Sequence, residues 1–201
     1  MTGVQTCALP ILAYEQRQFV ELLKALVALS QPIDQFSLGN EQEYQLNGLT
    51  NAQFADFIRS LAVSIRGVYS GRISYETSGD FADFWAGQTL GSIDLLGLNL
   101  YCGSACNQQY LKENLTAHGV DHVYVSESNA DMNTGKYNDD TVHAAEVASD
   151  FINLLSTGVK RIYYFDFAAS GNLYNVADNW GLYQNGILAQ PLTASVLGIR
   201  Y

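Results

Sequence analysis

Short β-branched runs and amphipathic helical stretches alternate along almost the whole chain, with no linker or low-complexity break between them. Between Ala13 and Ser30, Phe19, Leu22, Leu23, Leu26 and Val27 fall at the spacing of one helix face. Gln35-Phe36-Ser37-Leu38-Gly39 then reads as a buried strand. Thr50 and Gln53 form a capping-box signature, opening a helix with Phe54, Phe57, Ile58, Leu61 and Ile65 on one side. Further strands are expected at Arg72 to Glu76, Asp94 to Leu100, Asp121 to Ser126 and Arg161 to Phe165. Helices are expected near Phe81 to Leu90, Gln108 to His118, Thr141 to Ser156 and Pro191 to Ile199. Such strict alternation predicts an α/β fold, a parallel sheet covered by helices.

Two architectures satisfy that pattern, a doubly wound open sheet and a (β/α)8 TIM barrel. A nucleotide-binding open sheet carries a Gly-rich loop after its first strand, and neither GxGxxG nor GxxxxGK occurs here. A barrel needs eight strands and typically about 250 residues. The pattern supplies five strands, so the expectation is a truncated barrel holding about strands 4 to 8. Residues 1–11 (MTGVQTCALPI) fit neither texture. They lack the basic start and long apolar centre of a secretory signal and look like a translated sequencing-adapter segment. They are expected to be a non-native leader, which leaves 12–201 as the partial barrel.

Composition narrows the partners. Of 201 residues 48% are hydrophobic and 15% charged, which excludes a disordered tail, a collagen-like repeat and a coiled coil. The net charge of -10 repels phosphate backbones, and no basic patch offsets it, so no nucleic-acid partner is expected. No apolar run approaches the roughly 20 residues of a membrane-spanning helix. Tyr (13) and Gly (17) stand where charge is usually found, which suits a secreted or periplasmic protein handling neutral polar ligands. Nothing in the pattern sets an oligomeric state. With Cys7 in the leader, Cys102 and Cys106 remain, either a small loop disulfide or two free thiols. Ligands to complete a zinc site with them are missing. Asn114-Leu-Thr116 matches a glycosylation acceptor, a pattern common by chance.

The chemistry is expected where the strands end, because parallel barrel strands deliver their ends to one active-site face. Gly39-Asn40-Glu41 follows the first strand, Glu76 the second, Tyr101 the third, Glu127 the fourth and Asp166 the last. Glu76 and Asp166 read equally well as ordinary polar strand ends. Glu41 and Glu127 differ, since each tips an otherwise apolar strand. Two carboxylates whose environments split their pKa values can serve as general acid and as nucleophile, the requirement of glycoside hydrolysis. Glu43 is expected to face solvent, and His118, His122 and His143 to lie on the surface. Tyr44, Phe84, Trp85 and Trp180 are candidates for stacking on sugars, with Phe84 also readable as core.

At these residues the chain resembles the clan A glycoside hydrolases, retaining (β/α)8 enzymes. The Asn40-Glu41 pair matches the clan's Asn-Glu at the end of strand four, which implies Glu41 as acid/base and Asn40 as partner of the sugar 2-hydroxyl. Glu127 in Val-Ser-Glu-Ser matches the strand-seven nucleophile. Gly97-Leu98-Asn99-Leu100-Tyr101 resembles the strand-six segment whose Tyr hydrogen-bonds the nucleophile. Trp180-Gly181-Leu182-Tyr183 to Gln190-Pro191 resembles the clan's closing loop. One departure is Phe165-Asp166-Phe167 where a Trp commonly ends strand eight, so Trp180 is expected to supply that stacking face. The resemblance implies a glycosidase catalytic domain acting on a carbohydrate, with Asn40, Tyr101, Glu76, Asp166 and Trp180 in substrate binding. It implies no cofactor and no metal.

Two other readings stand beside it. Glu41, Glu76, Glu127 and Asp166 could hold a divalent cation in a metal-dependent barrel isomerase or hydrolase. Such sites recruit a His near a strand end, whereas His122 sits where its strand starts. A non-catalytic carbohydrate-binding barrel is the third, and it leaves the carboxylate pair without a purpose.

Overall fold

All five expected strands form. The computed structural model describes residues 16–25, 28, 33–46, 48–128, 139–165, 183–184, 187–188 and 191–198. Strands β1 (Gln35–Asn40), β2 (Arg72–Ser78), β3 (Leu95–Leu100), β4 (Val123–Ser128) and β5 (Ile162–Tyr164) make one sheet in the order β1-β2-β3-β4-β5. The β1–β2 and β4–β5 pairs are parallel. A doubly wound sheet reverses its strand order at a switch point. Among the described residues there is no reversal, so the sheet winds in one sense, as in a (β/α)8 barrel. The helices are α1 (residues 16–25), α2 (Asn51–Arg66), α3 (Ala82–Ala86), α4 (Ser104–His118), α5 (Asp140–Leu155) and α6 (Pro191–Val196). Strands β6 (Tyr183–Gln184) and β7 (Ile187–Leu188) form an antiparallel pair inside the stretch expected to be a closing loop.

The chain divides into two compact units, Met1–Thr77 with Gln88–Leu96, and Ser78–Gly87 with Gly97–Tyr201. In the first unit, α2 starts with the expected capping box: Thr50 Oγ1 accepts from Gln53 N, and the Gln53 side chain accepts from Thr50 N. Phe54, Ala55, Ile58, Leu61, Ala62 and Ile65 form its buried face, and the helix packs on β1. Phe57, placed on the same face by spacing, is only half-buried. At the helix end Arg66 pairs with Asp94, whose Oδ2 also accepts from Ile73 N at 2.7 Å. One ion pair thereby ties α2 to the entry of β2 and of β3.

In the second unit, α4 packs against α3 and α5, and α5 against α6. Asp139 caps α5, accepting from the backbone N–H of Thr141 and Val142 at 2.9 and 3.3 Å. Helix α3 is shorter than the Phe81 to Leu90 expectation because a 3-10 turn, Gly79–Phe81, precedes it and Gly87 ends it. Trp85, a candidate sugar-stacking residue, is 0% exposed and belongs to the core. Asn114 is also fully buried, donating to the Ala82 and Tyr110 carbonyls at 3.0 Å, so its glycosylation pattern is inaccessible in the folded chain. His143, expected on the surface, is buried on the inner face of α5.

His118 is half-buried, with Nε2 3.0 Å from the Trp85 carbonyl. Burial lowers its pKa from 6.5, the carbonyl contact partly restores it, and His122 lowers it further. The unfolded chain therefore binds this proton more readily, so its contribution to stability is present above pH 6.5 and lost as pH falls through the depressed value. Urea unfolding across that interval should show the loss in the parent protein and a flatter profile in His118→Gln. Trp85→Ala should lower the unfolding free energy by about 3–5 kcal/mol, seen as a lower urea midpoint at unchanged slope.

Candidate active site

Both carboxylates singled out by the sequence sit at irregularities in strand register. Along β1 and β2, Ser37 pairs with Ser74 and Asn40 with Glu76, so β1 spends an extra residue just before Glu41. Along β4 and β5, Val125 pairs with Ile162 and Ser128 with Tyr164, so β4 spends an extra residue around Glu127. Such bulges bend the strand and re-aim its side chains, and they concentrate beside active sites.

In the first unit, Glu41 has φ 51° and ψ 34°, the one positive φ outside glycine among the described residues. This left-handed backbone costs about 1–2 kcal/mol for a residue with a Cβ. What holds it is local. Glu41 N–H donates to the Glu76 carbonyl at 2.9 Å, and Gln42 Nε2 donates to the Asn40 carbonyl at 2.9 Å. Gly39 precedes it at φ 155°, where a Cβ would lie 2.9 Å from Gln42 Cγ. The 3-10 turn Gln42–Gln45 follows, and Glu43 anchors it. Glu43 is 3% exposed, not solvent-facing, and Thr77 Oγ1 donates to its Oε1. Burial first, and then the Glu43 charge, push the pKa of the nearby Tyr75 phenol far above its usual value, so it stays protonated. Tyr44, on the same turn, is 57% exposed.

Glu76 departs from expectation. It lies within β2, which continues to Ser78, and it is buried, with Ser37 Oγ donating to its Oε2. Its carbonyl supports the Glu41 backbone, so the structure assigns it a place beneath Glu41. Asn40 is exposed at the end of β1.

In the second unit, Tyr101 directly follows β3, and its Oη donates to Glu127 Oε2 at 2.7 Å. Its ring meets Phe165 edge to face, with centroids 6.3 Å apart. Glu127 is the penultimate residue of β4, inside the strand and not just past its end as expected. Its neighbours are also engaged: Ser126 Oγ donates to Asn99 Oδ1 and Ser128 Oγ to Asp150 Oδ2, both at 2.7 Å. Cys102 and Cys106 are disulfide-bonded, closing the loop that starts after Tyr101. Asp166 and Trp180 lie outside the described residues. Among the described residues, no three His, Cys, Asp or Glu side chains are grouped to hold a metal ion.

Sequence reasoning placed Glu43 in solvent and missed Tyr75, Asn107 and Asp150. A signal existed for two of the four. Glu43 falls two residues after Glu41, and Asp150 interrupts the inward face of α5 between Val147 and Leu154.

No protein-family model matches the chain, and no curated protein sequence is significantly similar to it. Its fold is that of solved TIM-barrel structures. A structure of a GH113 β-1,4-mannanase superposes with a TM-score of 0.59 at 15% identity, covering 92% of this chain and 62% of that one. The GH113 β-mannanase of Alicyclobacillus acidocaldarius in complex with ManMIm gives 0.53 at 14% identity, with the same coverage. A complex of a GH113 β-1,4-mannanase gives 0.56 at 15% identity, covering 92% and 63%. The chain thus spans less than two thirds of the length of these structures, and the likeness is one of fold.

The disulfide is open to a direct check. Of the three cysteines, unreduced and denatured protein should take up iodoacetamide at Cys7 alone, and reduced protein at all three. Intact mass and peptide mapping distinguish the two states.

Proposed function

We propose that the chain carries the catalytic carboxylates of a retaining glycoside hydrolase acting on a neutral β-linked polysaccharide, with β-1,4-mannan the first substrate to test. The observation that supports this reading most directly is the Tyr101–Glu127 hydrogen bond of 2.7 Å. A hydroxyl donating to a carboxylate favours its charged form and orients it, as a nucleophile working near neutral pH requires. The fold likeness to β-mannanases agrees with it, and they supply the choice of mannan.

In this reading a Glu127 oxygen attacks the anomeric carbon, and the glycosidic C–O bond breaks as the proton on Glu41 passes to the leaving oxygen. Water then gives a proton to Glu41 and attacks the anomeric carbon, and the ester to Glu127 is released. Asn40 bonds the sugar 2-hydroxyl, Tyr101 holds Glu127, Glu76 acts through the Glu41 backbone, and Asp166 and Trp180 are proposed as further substrate-binding residues. Strain at Glu41 suits a residue whose aim matters more than its local stability. A secreted or periplasmic setting belongs to the same reading, supported by the Cys102–Cys106 disulfide, which persists in oxidising compartments.

The test incubates the full-length protein with 2-deoxy-2-fluoro glycosides bearing good leaving groups, the mannoside included. A stoichiometric adduct on Glu127, absent in Glu127→Ala, is expected. Glu41→Ala should lose about 10²–10⁴-fold in kcat on substrates with poor leaving groups and far less on activated aryl glycosides. Tyr101→Phe should lose about 10–100-fold, the value of one hydrogen bond to a charged group. Chelator-sensitive activity with no adduct from any sugar would overturn the two-carboxylate mechanism in favour of the metal-dependent one.

A further inference from the structure

Asn107, Ser128 and Asp150 are each fully buried, and all three are polar. A buried carboxylate is costly unless donors surround it. Here Asn107 Nδ2 donates to Asp150 Oδ1 at 3.0 Å and Ser128 Oγ donates to Oδ2 at 2.7 Å. Burial raises the Asp150 pKa, and the bonds from Ser128 and Asn107 draw it back.

Each donor leads to a residue of the proposed site. Ser128 follows Glu127, and its side chain reaches Asp150 on α5 while that of Glu127 meets Tyr101. On the other arm, Asn107 Oδ1 accepts from Cys102 N at 3.0 Å, and Cys102 follows Tyr101. The Tyr101–Glu127 bond closes the circuit, which runs Tyr101, Cys102, Asn107, Asp150, Ser128, Glu127 and back. Two peptide links and four hydrogen bonds complete it. The flanks are braced as well. The disulfide ties Cys102 to the first turn of α4, Asn153 Nδ2 donates to Ser104 Oγ at 2.6 Å, and Phe165 N donates to the Ser128 carbonyl at 3.0 Å.

We propose that Asp150 is a positioning residue for the Tyr101–Glu127 pair, fixing from behind the sheet the separation of the strand end that carries Glu127 and the loop that carries Tyr101. The proposal rests on the reading of Glu127 as nucleophile for its catalytic meaning, and on the hydrogen-bonded circuit for its structural one. Beyond the paired part of β3 and β4, a loop residue and a strand end joined by one hydrogen bond would be free to drift by tenths of an ångström. A carboxylate accepting from Ser128 and from Asn107, which in turn holds Cys102 N, removes that freedom without touching substrate.

The test reads the Glu127 carboxyl directly. Full-length protein carrying ¹³C-labelled glutamate is titrated by NMR, with the Glu127 signal assigned by Glu127→Gln. Tyr101→Phe should raise the Glu127 pKa, because the charged form loses a donor. Asp150→Ala should raise it in the same direction and add nothing further in the Tyr101→Phe background. Loss of the Asp150 charge acting through space would move it the opposite way, so the sign separates positioning from electrostatics. Val147→Ala, a buried truncation on the same helix, should leave it unmoved although it destabilises the fold. Should Asp150→Ala fail to fold, Ser128→Ala breaks one link of the same circuit and carries the same expectation. An unshifted Glu127 pKa in the folded variant would overturn the proposal.

Where the protein turns over a glycoside, Asp150→Ala should also lower kcat by about 10–100-fold at nearly constant KM, as small misplacements of reacting groups do. Shifted pKa values in a protein that hydrolyses no glycoside would retain the positioning role and remove the glycosidase reading, so the two can fail separately.

Discussion

Parallel strands cannot be joined by a tight turn, and most of what this chain is follows from that constraint. Each return to the sheet's starting edge needs a crossover, and the crossover helix then covers the strands it connects. Interior strands are consequently dry on both faces. Every residue of β3 is buried, and so is every residue of β2 after Arg72. A strand of this kind can afford polar side chains only at its end or where partners are built for them. The polar residues of β2 illustrate the second case, since Ser74, Glu76 and Thr77 are all inside and all bonded to side chains of the first unit.

The same constraint explains why the two candidate carboxylates are presented so differently. Glu41 lies just past its strand and is aimed by backbone, through a left-handed conformation held by the Glu76 carbonyl and by the turn that Glu43 anchors. Glu127 remains inside its strand and is aimed by side chains, through Tyr101 in front and Ser128 behind. A donor on a carboxylate stabilises the ion, which is what Tyr101 offers Glu127.

How much of this was legible depended on whether the signal was local. The strands were, because an apolar run such as Leu95 to Leu100 is too short for a helix and is bounded by polar residues. The α2 cap was, because Thr50 and Gln53 satisfy each other across a single turn. Tyr101 with Glu127 was reached through a family resemblance, not through spacing, since no local rule brings a loop residue to a strand 26 positions away. Glu43 and Trp85 were misplaced for a shared reason: burial is a property of the partner, and Thr77 and Tyr75, or α4, are distant in sequence. The register slips beside Glu41 and Glu127 left no mark, because an extra residue in one strand is defined only against its neighbour.

Asp150 shows the limit most sharply. Read along α5, it is one charged residue on an apolar face, easily taken for an imperfection in the helix pattern. Read across the fold, it accepts from the strand that holds Glu127 and, through Asn107, from the loop that follows Tyr101. An apolar residue of similar size would spare the desolvation of a charge, and such replacements are often neutral or stabilising in buried pairs. Stability is therefore a poor reason for the aspartate. What an apolar side chain could not do is accept two hydrogen bonds at fixed angles, and geometry between a donor and a carboxylate is the one quantity this part of the fold has to hold.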